Sequence, residues 1–102
     1  MVPLKKEIYK ILTDNIDTIR GYGVKRIGLF GSCVRETNQE SSDIDLLVEF
    51  YRDKKTYDNY FDLSEFLESV LQTKIDLVTV ESLSPYFASE VMREVEYIEI
   101  AA

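Results

Sequence analysis

The stretch Asp43-Ile44-Asp45-Leu46-Leu47-Val48-Glu49-Phe50 is the clearest strand in the sequence. Residues two apart in a strand point to one face, about 6.6–6.8 Å apart. Asp43 and Asp45 therefore present two carboxylates side by side, while Ile44, Leu46 and Val48 face a core. Upstream, a polar loop over Asn38–Ser42 and a short helix over Cys33–Thr37 are expected, joined to Gly31-Ser32. Val24–Phe30 reads as another strand. Before it, Leu4, Ile8, Ile11, Leu12, Ile16 and Ile19 recur at spacings of three and four and predict one amphipathic helix over Leu4–Arg20, stopped by Gly21 and Gly23.

Downstream, Tyr51–Thr56 is a charged turn, and the helical period returns over Tyr57–Gln72. Ile75–Val80 reads as a third strand, and Pro85 stands in the first turn of a last helix reaching about Glu94. Tyr97–Ile100 alternates as a short fourth strand would. The pattern predicts a single small α/β domain over residues 1–102, with helices packed on a sheet of three to four strands. Gly31–Ser42, between the first two strands, is at the lower limit for a parallel crossover, so a mixed sheet is expected.

Composition excludes several chemistries. The 102 residues, 45% hydrophobic and 30% charged, suit a folded soluble domain. Nineteen acids against twelve bases give a net charge of −7, which argues against long DNA or RNA as a direct partner. There is no histidine, so histidine-based triads, dyads and zinc sites are excluded. The one cysteine, Cys33, permits no internal disulfide and reads as a small packing residue. No run is long enough to span a membrane and no signal peptide is visible, so the cytoplasm is the expected location.

Two adjacent carboxylates repel unless a cation or a shared proton lies between them. Without histidine or a cysteine cluster, the economical partner is a hard divalent cation. Enzymes that form aspartyl-phosphates place their acids after the apolar run of a strand; here the acids precede it. Gly31-Ser32, between a strand and a helix start, suits an anion cradle of backbone N–H groups with a hydroxyl. A phosphate cradle beside paired carboxylates is what Mg²⁺–nucleoside triphosphate chemistry requires. Asp76, at the head of the third strand, reaches the same cation if that strand neighbours the second, or accepts a proton from an attacking hydroxyl.

Taken together, Gly31-Ser32, Arg35, Asp43-Ile44-Asp45-Leu46 and Ile75-Asp76-Leu77-Val78 resemble the polymerase-β-type nucleotidyltransferases, and more narrowly the minimal nucleotidyltransferase (MNT) proteins. The resemblance implies that Gly31 and Ser32 hold the triphosphate of ATP. It also implies that Asp43 and Asp45 ligate two Mg²⁺ ions, and that Asp76 completes the catalytic metal site and favours deprotonation of the acceptor. It further implies an antitoxin that transfers AMP to a tyrosine of a HEPN ribonuclease toxin. Val34 and Glu36 depart from the family's usual alanine and frequent glycine, and Glu36 adds negative charge near the phosphate site.

Plainer readings accompany these. Asp43 and Asp45 also suit a solvated strand start, and Gly31-Ser32 an ordinary turn. Arg35 suits either phosphate or a pairing with Glu36, Glu40 or Glu49. Tyr51, Tyr57 and Tyr60 cluster around a charged turn that suits packing or a partner, and the acidic run Glu90–Glu99 reads as a solvated face. Two other functions remain in view: an antitoxin that acts by contact alone, and a small-molecule nucleotidyltransferase completed by a separate acceptor-binding subunit.

Overall fold

The computed structural model describes residues 5–31 and 43–98. Along the chain come α1 (Lys5–Asp14), α2 (Ile16–Gly21), β1 (Val24–Phe30), β2 (Ile44–Phe50), α3 (Tyr57–Leu71), β3 (Ile75–Thr79), α4 (Pro85–Glu94) and β4 (Glu96–Ile98), with 3₁₀ turns at Arg52–Lys54 and Val80–Ser82. The expected short helix over Cys33–Thr37 and loop over Asn38–Ser42 lie outside the described residues.

The sheet order is β3-β2-β1-β4. β1 runs antiparallel to β2 and to β4, and β2 runs parallel to β3, so the sheet is mixed as the short first connection predicts. Ile44, Leu46, Val48 and Phe50 are buried on one face of β2 with Ile27 and Leu29 of β1. Ile8 and Leu12 of α1, Ile19 of α2 and Leu63, Leu67 and Leu71 of α3 close over that face and complete the core.

The single helix expected over Leu4–Arg20 is two. Asn15 leaves helical geometry at φ −109°, ψ 18°. Its side-chain amide donates to the Ile11 carbonyl at 2.7 Å, and its N–H is shared between the Ile11 and Leu12 carbonyls. A short amide side chain that competes for backbone acceptors breaks the helix there, while the isoleucine stripe runs on across the break. Other differences are small. The β2 ladder starts at Ile44 rather than Asp43, β3 ends at Thr79 rather than Val80, and β4 starts at Glu96.

α3 begins where Thr56 accepts the Asn59 N–H, and ends at Gln72 in the left-handed region. Ser84 caps α4 ahead of Pro85 by accepting the Phe87 N–H. Tyr60 of α3 donates its hydroxyl to the Leu77 carbonyl of β3, so it serves the fold rather than a partner surface. Burial, and secondarily the charge of Asp76, push its phenol above its ordinary pKa and keep it a donor.

Leu67 is fully buried beneath the sheet. Leu67→Ala is expected to cost about 2–5 kcal/mol of folding stability, read from the urea midpoint at unchanged m-value.

Candidate active site

The alternation of β2 determines which side chains reach the other face. With Ile44, Leu46 and Val48 turned to the core, Asp45 and Glu49 emerge opposite them, half-buried. Asp45 is opposite Phe30 of β1 on one side and Asp76 of β3 on the other. Residues level with each other in paired strands share a face, with backbones about 4.8 Å apart. The condition set by the sequence is met: β3 neighbours β2, and Asp45 and Asp76 are side by side at its head. Asp43, exposed, immediately precedes the ladder.

Gly31 follows β1 at φ +74°, in the left-handed region that favours glycine. A Cβ on Gly31 would lie 2.2 Å from Asp45 Oδ2, so only glycine lets the backbone at this position stand directly against the carboxylate. Ser32 and Arg35, the other two residues assigned to the nucleotide, lie outside the described residues. Glu49, one of the alternative partners considered for Arg35, pairs with Arg26 at 2.7 Å.

Among the described residues, no three acidic side chains stand close enough together to cage a metal ion. What the strands bring level is the Asp45–Asp76 pair, with Asp43 two residues ahead of Asp45 in the chain, and all three candidates are carboxylates. That chemistry suits a hard cation such as Mg²⁺ and not a thiophilic one.

One residue of the site escapes the sequence reading. Glu94, at the end of α4, accepts the Gly31 N–H at 2.5 Å. In the sequence it stands in an acidic run that reads as solvated, and no spacing ties it to Gly31. Nor is the next acid of that run free in solvent: Glu96 pairs with Lys5 at 2.8 Å and accepts from Tyr9.

The family described as "Nucleotidyltransferase domain" matches residues 6–98. The protein adenylyltransferase MntA of Thermococcus cleftensis is 40% identical over 94 residues, covering 91% of this chain and 94% of that protein. A toxin–antitoxin crystal structure with AMP-PNP aligns at a TM-score of 0.64 and 30% identity, over 91% of this chain and 70% of that one. A tri-AMPylated Shewanella oneidensis HEPN toxin in complex with an MNT antitoxin aligns at a TM-score of 0.54 and 28% identity, over 91% of this chain and 66% of that one.

Gly31→Ala forces both a strained backbone and a displaced Asp45. The expected stability loss is about 1–2 kcal/mol, with a loss of transferase activity far larger than that change in folding explains. Thermal melting and initial rates on the same preparation check the pair.

Proposed function

We propose that this chain, which belongs to the nucleotidyltransferase domain family and within it to the minimal (MNT) antitoxin type, transfers AMP from ATP to a tyrosine hydroxyl of a HEPN-domain toxin and so acts as that toxin's antitoxin. The observation that carries this reading is the juxtaposition of Asp45, Asp76 and Gly31 at one end of the sheet. It is supported by the AMP-PNP carried by one similar complex and by the AMPylated toxin held in another.

In this reading Gly31 and Ser32 bind the triphosphate through backbone N–H groups and the serine hydroxyl, and Arg35 adds a cation to the same phosphates. Asp43, Asp45 and Asp76 would hold two Mg²⁺ ions. Bound there, Mg²⁺ supplies neutralisation of charge on the reacting phosphates and lowers the proton affinity of the acceptor oxygen.

The tyrosine oxygen forms a bond to the α-phosphorus as the bond to pyrophosphate breaks. The hydroxyl proton passes to the carboxylate of Asp76, which is solvent-exposed and hands it on to water. The acceptor comes from the partner protein, so affinity for the toxin supplies the positioning of the tyrosine.

The decisive experiment is intact-mass spectrometry of a HEPN-domain toxin after incubation with this chain and Mg²⁺–ATP. An Asp43→Asn, Asp45→Asn double variant runs in parallel. The expected result is a mass gain in whole AMP units with the wild type and none with the variant. No gain, together with tight binding and intact toxin inhibition, would replace the enzyme by an antitoxin acting through contact alone. AMP transfer to a small molecule and never to protein would reassign the acceptor.

A further inference from the structure

Glu94 takes no part in the reaction described above, yet it holds the one described N–H assigned to the triphosphate. Its position is built in from the strand. Gly28 turns away from the core, between Ile27 and Leu29, and a Cβ there would lie 2.8 Å from the Glu96 carbonyl oxygen and 2.9 Å from Val95 Cγ2. Only glycine admits that approach. The segment leaving α4 is thereby held against β1, three residues before Gly31, and Glu94 is delivered to the acid-bearing face. An open hollow of about 360 Å³ lies beside it, lined among the described residues by Glu90, Arg93 and Glu94. Arg93 makes no ion pair among the described residues, so the hollow has a cation to offer an anionic ligand.

We propose that Glu94 is a built-in competitor for the triphosphate: ATP must displace its carboxylate from the Gly31 N–H, and the Glu90–Arg93–Glu94 side of α4 forms one wall of the nucleotide site. The inference rests on the reading of Gly31 as a phosphate-binding residue. A carboxylate and a phosphate are both anionic oxygen acceptors, and each bonds a backbone N–H in the same manner. An N–H shared between two acceptors bonds each more weakly than it would bond one alone. A carboxylate left at contact distance from a triphosphate would also repel it, the more strongly in a partly water-excluded site. ATP binding therefore requires the Glu94 side chain to swing away, and the net affinity is what remains after that displacement.

A different role has to be separated from this one. Glu94 would equally fasten α4 to the end of β1 if it were only a structural clasp. Glu94→Gln distinguishes the two, because it keeps an oxygen acceptor for the Gly31 N–H and removes the charge; Glu94→Ala removes both.

The test is calorimetric titration of the full chain and both variants with Mg²⁺–ATP and, separately, with adenosine, alongside thermal melting. Glu94→Gln is expected to bind ATP about tenfold more tightly than the wild type, with adenosine affinity unchanged. Glu94→Ala is expected to bind ATP at least as tightly as the wild type even where its melting temperature falls. If Glu94→Gln binds ATP like the wild type and Glu94→Ala binds it more weakly, Glu94 is a clasp and the proposal is overturned, while Gly31 keeps its role. If neither the wild type nor the variants bind ATP, the assignment of Gly31 to the nucleotide falls, and this inference falls with it.

Discussion

Strand β2 is paired on both sides, antiparallel to β1 and parallel to β3, and one of its faces is wholly apolar. Burial of Ile44, Leu46, Val48 and Phe50 against three helices fixes its register. A slip of one residue would turn Asp45 and Glu49 into that core and expose the apolar set, at a cost of several kcal/mol for each unpaired charge. The hydrophobic core therefore decides where the carboxylates stand, although none of its side chains belongs to the site. Once β2 is in register, Asp45 must face Asp76 across one ladder and Phe30 across the other.

The two faces of the sheet then serve different purposes. α1, α2 and α3 cover one completely. The other carries the acids and is approached by the segment that leaves α4, which Gly28 admits to backbone contact. Tyr60 ties α3 to the carbonyl next after Asp76, which steadies the edge strand that bears this carboxylate. At the opposite edge, Lys5 and Tyr9 hold Glu96 and so fasten β4 to α1. The acid-bearing end is supported from both edges by contacts that do not involve the acids themselves.

Much of this was legible in the sequence, because strands of period two and helices of period 3.6 leave their mark in the order of apolar residues. The four strands, α3, α4 and the mixed sheet follow from that pattern and from the short first connection. The break at Asn15 was hidden because the isoleucine stripe continues through it; only the amide's competition for the Ile11 carbonyl reveals it. The Asp45–Asp76 pairing stood as a condition, since strand neighbours are a property of topology and not of spacing. Glu94 was illegible for a stronger reason. Its partner is 63 residues away, and the glycine that brings it there lies inside a strand and looks unremarkable in the sequence.

The charge at this end of the molecule constrains any account of its chemistry. Asp45 and Glu94 stand against Gly31, Asp76 is level with Asp45 on the neighbouring strand, and Glu90 lines the hollow beside Glu94, on a chain whose net charge is already −7. A bare triphosphate approaching them meets repulsion that a few backbone N–H groups do not offset, and Arg93 is a single opposing charge. Two conditions make such a site able to take ATP. In the proposed reading the nucleotide arrives with divalent cations that Asp43, Asp45 and Asp76 share, and the carboxylate of Glu94, seated on the Gly31 N–H, gives way. On this argument Asp43, Asp45 and Asp76 hold cations, and Glu94 yields its place. Only the first group can be neutralised by Mg²⁺ and still remain where the fold has put it.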